Sequence, residues 1–369
     1  MTVLADLGFG PFDTAWLATA LVLTTPILLA AVGELISERA GVLNVGLEGF
    51  MLAGAFFAYL ATWGTGSLVV GVLAGIVGGM LLATVMALLC VEAKADQIVS
   101  GVGINLVAFG LTAYLFDEIF GDLAQTVVPT VGNVSIPLVS KIPEFGGVLF
   151  EQDPILYLSF LLVPAAWFLL YRTKWGLAIR AAGEMPAAAD TAGISIRRIR
   201  WMAVLTAGGL AALGGAYLVI VEVAIFRQGM TAGRGFLALV AVIFGRWHPF
   251  GVLGAAFVLG ATDALQLRLA DDDQVPQAVW GVVAIIAAAF LVHQVLVRQR
   301  GEPRWTALAL ASLVAVSGIV LFATTPHVDL PSQVWRSLPY LLALVVLASA
   351  VAKARMPSKL TLPYIRGEG

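Results

Sequence analysis

The chain has 369 residues, of which 60% are hydrophobic and only 12% charged, with a formal net charge of −2. A soluble domain carries about a quarter charged residues, so composition excludes an ordinary water-soluble fold. The small net charge gives no reason to expect a nucleic-acid partner, and the single cysteine, Cys90, excludes an internal disulfide and sits in an apolar run as packing.

Hydrophobic runs long enough to cross a bilayer recur along the chain, at 14–36, 42–62, 67–91, 97–116, 154–171, 199–222, 235–247, 251–268, 276–297, 305–324 and 336–352. Backbone groups in lipid must be satisfied internally, which leaves helices or a closed barrel. Stretches such as SLVVGVLAGIVGGMLLATVMALLC do not alternate apolar and polar residues as barrel strands do. The fold expected is therefore all-α, a polytopic bundle of about ten or eleven spans. The first sixteen residues lack a basic n-region and a small-residue cleavage site, so the first span is expected to stay in the mature chain. The run at 235–247 is short, follows the glycine-rich RQGMTAGRG, and reads as a half-helix, a re-entrant segment or a crossing.

Lysine and arginine set the orientation. With the N-terminus outside, the inside receives Arg39, Lys94, the cluster from Arg172 to Arg200, Arg246, the run from Arg298 to Arg304 and the tail from Lys353 to Arg366. The outside receives only Lys141, Arg227, Arg234, Arg268 and Arg336. The C-terminus then lies in the cytoplasm. Residues 117–153 form the longest outside loop, with β-branched runs broken by Pro and Gly that suit a small strand-like cap. The acidic 271–274 is another outside turn.

The most basic inside loop, 172–198, contains RAAGEMPAAADTAGISIRRIR, which looks compatible with water. Pro186 suits the first turn of a helix, AAADTA has high helix propensity, and Gly193 suits a helix stop. The result is a helix of about seven residues, 186–192, roughly 11 Å long. A helix this short is marginal alone in water and needs something to dock against. Arg180, Arg197, Arg198 and Arg200 are expected at the membrane surface, holding it level. Read from composition alone, an amphipathic connector on the headgroups fits equally well.

AAGEMPAAADTAGI (181–194) resembles the coupling-loop signature of the permease superfamily of ATP-binding-cassette importers for branched-chain amino acids, ribose and nucleosides. GELISERAGVLNVGLEGFMLAGAFFA (33–58) and GRGFLALVAVIFGRWHPFGVLGAAFVLG (233–260) are similar to blocks of its nucleoside-type members, those associated with basic-membrane-protein lipoproteins. The resemblance covers about residues 14–298, giving a permease core at 1–300 with its coupling loop at 172–198. Residues 301–369 form an additional C-terminal transmembrane pair with a basic cytoplasmic tail.

The resemblance implies a permease subunit in the plasma membrane of a bacterium or archaeon that imports a small solute, a nucleoside first and a sugar or branched-chain amino acid as alternatives. It implies that Gly183, Glu184, Pro186, Ala188, Ala189, Thr191 and Gly193 make up the coupling helix. Its implied partners are a cytoplasmic ATPase that grips that helix and holds ATP and Mg, a second permease, identical or homologous, an extracellular solute-binding lipoprotein, and membrane lipid. The chain itself carries no phosphate loop, no H-E-x-x-H, no G-x-S-x-G and no Cys/His cluster, so no catalytic residue, metal site or enzymatic role is expected in it. An ion-coupled secondary transporter would bury more ionisable residues at mid-depth.

Three polar residues in apolar surroundings are substrate-pathway candidates: Asn44, Glu48 and Asn105. Asn44 and Glu48 are four apart and are expected on one helix face among Gly41, Gly46 and Gly49. Their amide and carboxylate groups could meet ribose hydroxyls and a base. A role in capping, or in pairing with Arg39, suits Asn44 and Glu48 equally. Glu34, Glu38 and Arg39 read as an interfacial charge cluster ending the first span. Glu222, Gln228 and Arg234 lie at the outer mouth, and His248 reads as a turn residue. Trp63, Trp280 and Trp335 fit interfacial belts, and the glycines in 75–79, 208–215 and 251–254 read as helix-packing faces.

Overall fold

The computed structural model describes residues 14–121, 126–137, 146–271 and 356–365, with scattered positions between 312 and 343. The chain divides into two compact units, residues 21–261 with 340–369 and residues 1–20 with 262–339. The spans expected at 276–297, 305–324 and 336–352, like Trp280 and most of 271–274, lie wholly or largely outside the described residues.

Six described helices are long and apolar enough to cross a membrane: α1 (Thr14–Arg39), α3 (Leu68–Glu92), α4 (Gln97–Phe120), α6 (Pro154–Arg172), α9 (Ile196–Val223) and the apolar part of α11, Pro249–Leu269. Helix α2 (Leu47–Thr65) lies between α1 and α3 in sequence, and α11 as a whole runs Pro249–Asp271. The short elements are α5 (Gly146–Phe150), α7 (Lys174–Glu184), α8 (Pro186–Thr191) and α10 (Arg234–Phe244). The last turns of α3 and α9, Leu88–Glu92 and Leu218–Val223, are π-helical.

Several starts are set by side-chain caps. Asp96 accepts the N–H groups of Ile98 and Val99, both at 2.9 Å, and Asp153 does the same for Ile155 and Leu156 at 2.9 Å. The long outer loop carries a two-stranded antiparallel cap, β1 (Val134–Ser135) with β2 (Glu151–Gln152), pairing Val134 with Gln152 and Ser135 with Glu151.

The core is a tight meeting of α2, α3 and α9. Small residues make it possible. A Cβ on Gly54 would strike Ala212, one on Gly79 the Ala212 side chain, one on Gly208 the Ala83 side chain, and one on Gly215 the Met51 carbonyl. The glycine runs at 75–79 and 208–215 thus let backbones approach as helices do in lipid, where dispersion rather than hydrophobic burial holds them. The apolar windows of α1 and α9 are 67% and 72% buried, whereas those of α3 and α4 are 28% and 22% buried. Helices α1 and α9 therefore form the centre, and α3 and α4 expose broad apolar faces.

The structure corrects two sequence expectations here. The second apolar run becomes helical only at Leu47, so Asn44 lies in the turn before α2 and shares no helix face with Glu48. The loop 172–198 is largely helical, because Thr173 Oγ accepts the Gly176 N–H at 3.0 Å and starts α7.

The short run at 235–247 is resolved as a broken crossing. Helix α10 has 11 residues, about 16 Å at 1.5 Å per residue, too short for a hydrocarbon core of about 30 Å. The irregular stretch 224–233 supplies the remainder. Gln228 donates to Asp117 near the end of α4 at 3.0 Å, while Trp247, past the other end of α10, meets the end of α1. Segment 224–247 therefore connects the two ends of the bundle.

Candidate functional site

Two polar assemblies stand out, one inside the bundle and one at its basic end. The first is built around the turn between α1 and α2. Glu34 is fully buried, and its carboxylate accepts the Asn44 backbone N–H and the Asn44 Nδ2, both at 2.7 Å. Asn44 Nδ2 also donates to Ser37 Oγ at 2.8 Å, and that hydroxyl donates to the Val42 carbonyl at 2.9 Å. Asn105 fastens α4 to the same turn. Its Oδ1 accepts the Gly49 N–H at 2.8 Å and its Nδ2 donates to the Val45 carbonyl at 2.9 Å. Gln97 Oε1 accepts the Leu43 N–H at 2.8 Å.

Glu48 reaches across to the broken crossing. Its two carboxylate oxygens accept the N–H groups of Gly233 and Gly235, each at 2.7 Å. These donors are at the start of α10, where backbone N–H groups have no partner within the helix and where the helix dipole favours a negative charge. The carboxylate of Glu48 thus occupies the positive end of α10. Gly235 is glycine for a local reason: a Cβ there would collide with the Glu48 backbone.

The charge cluster expected at the end of the first span is there, and its two carboxyl groups are buried within the protein. Glu34 and Glu38 are 0% and 1% exposed. Trp247 Nε1 donates to Glu38 at 2.5 Å, and Arg39 donates from Nε and Nη2 to the Trp247 carbonyl at 3.0 and 2.6 Å. Arg39 also reaches the Tyr171 hydroxyl at 3.3 Å, so it pairs with neither Asn44 nor Glu48. His248 lies in the turn between α10 and α11, between the rings of Tyr171 and Phe250 at 5.6 and 5.9 Å.

The second assembly is the segment 172–200. The short helix is α8, with Pro186 in its first turn and Met185 before it. Its end is a Schellman motif: Ile194 N–H donates to the Ala189 carbonyl at 3.0 Å and Gly193 N–H to the Asp190 carbonyl at 2.9 Å. Gly193 has φ +83°, which only glycine adopts without strain. Pro186 and Ala189 face inward, while Ala187, Ala188 and Thr191 are exposed. Helix α7 leads into α8, and its Gly183 lies against the end of α1, where a Cβ would strike the Arg39 carbonyl. Glu184 ends α7.

Of the four arginines expected at the surface, Arg197 pairs with Glu92 at 2.5 Å and Arg180 lies over the Tyr171 ring at 5.1 Å. Arg198 is exposed. Arg200 departs from the expectation: it is 2% exposed, because α9 turns it inward toward Gly41 and the chain's own tail. Among the described residues no group of His, Cys, Asp and Glu could hold a metal ion.

A bundle of apolar helices with one broken crossing and a stub of helix in a basic loop defines a helical membrane permease. The model of the family described as "Branched-chain amino acid transport system / permease component" matches residues 16–292, and the chain belongs to that family. It is 42% identical over 248 residues to the "Putative glucose ABC transporter permease protein" of Haloferax volcanii, covering 66% of this chain and 74% of that one. It is 37% identical over 257 residues to a guanosine ABC transporter permease protein of Bacillus subtilis, covering 67% and 80%. A nucleoside ABC transporter permease protein of Lactococcus lactis is 36% identical over 255 residues, covering 67% and 80%. No solved structure matches the chain. The protein is a multi-pass plasma-membrane permease of an ATP-binding-cassette importer.

Proposed function

We propose that this permease carries a nucleoside into the cell and that α8 is its coupling helix. The observation that supports the coupling role is the form of α8: six residues between a proline and a Schellman glycine, with Ala187 and Ala188 exposed in the most basic loop. In this reading a separate cytoplasmic ATPase, holding ATP and Mg, grips α8. Closure of the ATPase dimer pushes α8, and the push passes through α7 and Gly183 to the end of α1. A second permease, identical or homologous, completes the pathway, and an extracellular solute-binding lipoprotein delivers the solute. The N-terminus lies outside and the basic loops and tail lie inside, as the lysine and arginine bias requires.

The solute follows from two considerations. The relatives are named for guanosine, nucleosides and glucose, all uncharged rings rich in hydroxyls. The N-terminus of α10, where an anionic solute would find a partner, is taken by Glu48. In this reading Asn44, Glu48 and Asn105 hold the wall of the pathway at the α1–α2 turn. A sugar is the second reading, favoured by the Haloferax relative. The test is uptake of labelled guanosine by the assembled importer with unlabelled glucose or leucine as competitor. Inhibition by unlabelled nucleosides alone supports a nucleoside permease. Guanosine that is not taken up, with glucose that is, would replace it by the sugar reading.

A further inference from the structure

The C-terminal tail closes on the segment that carries α8. Ser358 donates to the Glu184 carboxylate twice, from its N–H at 3.1 Å and its Oγ at 2.7 Å. Lys359 N–H donates to the Gly183 carbonyl at 2.9 Å. Tyr364 hydroxyl donates to the Asp190 carboxylate at 3.0 Å. The buried Arg200 donates from Nη1 to the Leu362 carbonyl at 3.0 Å.

The spacing of these contacts gives them their force. Glu184 lies just before α8 and Asp190 in its last turn, and Ser358 and Tyr364 are separated by the same interval in the tail. The tail therefore runs beside α8 in the same direction and holds it at both ends. It also reaches the end of α1, since a Cβ on Gly41 would lie 3.3 Å from the Lys359 carbonyl and 3.3 Å from Gly183 Cα. A helix of six residues has little stability of its own in water. Two carboxylates, one carbonyl and one buried guanidinium fastened to a single stretch of tail supply what it lacks.

The same tail extends the exposed surface around α8. Met185, Ala187 and Ala188 are exposed on the coupling segment, with Met185 at 70%. The tail adds Met356 at 62%, Leu362 at 48% and Ile365 at 37%, placed by Ser358, Arg200 and Tyr364 against that segment. Exposed apolar side chains gathered round a short helix and rimmed by charge have the make-up of a protein-docking surface.

We propose that residues 357–364 are a second component of the coupling element. They brace α8 against the ends of α1 and α9, and with α8 they form one composite surface for the ATP-hydrolysing subunit. This rests on the reading of α8 as the coupling helix. The tail lies beyond the residues that the family model matches, 16–292.

The test uses the full chain assembled with its ATP-binding-cassette subunit, in the variants S358A/Y364F, a truncation after Met356, and A188E. Amide hydrogen exchange over 187–194 is read on the permease, and ATP-driven uptake of guanosine on the complex. Loss of the two side-chain bonds in S358A/Y364F should speed exchange there about tenfold or more and cut uptake at least severalfold, with insertion and monodispersity unchanged. The double variant keeps the Lys359 and Leu362 backbone contacts, so it reads the brace even if the truncated chain does not accumulate. Unchanged exchange and uptake in S358A/Y364F, with uptake abolished by A188E, would overturn the brace and leave the coupling helix standing. Unchanged uptake in A188E as well would overturn both.

Discussion

Glu48 Oε2 accepts the backbone N–H of Gly235 at 2.7 Å, across a sequence separation of 187 residues. With the matching bond to Gly233, this single carboxylate ties the start of α2 to the start of the broken helix α10. It satisfies two donors that the break leaves without helical partners.

Replacing Glu48 by alanine should therefore destabilise the bundle, since each donor left unsatisfied in this partly buried setting costs up to about 1–3 kcal/mol. E48Q keeps one acceptor and should fall between wild type and E48A. Thermal unfolding of the detergent-purified permease checks the order. An E48A chain as stable as wild type would show that water replaces the carboxylate without loss.

Asn44 faces the buried carboxylate of Glu34 with two donors, both at 2.7 Å. N44A removes the Nδ2 hydrogen bond and leaves a buried carboxyl oxygen of Glu34 without that donor, a loss of about 1–3 kcal/mol. N44D sets a second carboxylate against the first with no cation between them, and should accumulate less well than N44A. Yield and melting temperature of the two variants decide it. Trp247 does for Glu38 what Asn44 does for Glu34, so W247F should lower stability through the lost Nε1–H bond, again by about 1–3 kcal/mol, although the ring volume is largely kept.

Gly193 discriminates backbone strain from crowding. Its φ is +83° and a Cβ there meets nothing within 4 Å. G193A should be mild, costing about 1–2 kcal/mol for the left-handed backbone alone. G193P cannot reach that φ and loses the N–H bond to the Asp190 carbonyl. It should abolish coupling while the chain still inserts. Equal ATP hydrolysis in G193A, G193P and wild-type complexes would refute the role given to this turn.

What the sequence made legible divides along range. Helix α8 could be read locally, because Pro186 and Gly193 mark its two ends within eight residues. The long spans could be read from apolar length. The interfacial cluster of Glu34, Glu38 and Arg39 is legible in the sequence, but the burial of its two carboxyl groups is not, because their partners are remote: Asn44 lies beyond a turn, and Trp247 is 209 residues away. Asn44 was placed on a helix that begins only at Leu47, since nothing in the run 41–46 announces the capture of its amide by Glu34. Helix α7 was missed, although Thr173 three residues before Gly176 is a usable cap signal. Its charges, Lys174 and Arg180, made it look like loop. The grip of the tail on Glu184 and Asp190 spans 174 residues and has no local signature.

The most direct test of the account is ATP-driven guanosine uptake by the reconstituted importer carrying A188E, which places a charge on the exposed face of α8. The account predicts that the A188E permease inserts and purifies as wild type does but neither stimulates the ATPase subunit nor accumulates solute. Wild-type uptake by A188E, or full uptake by the permease with no ATPase bound, would contradict it.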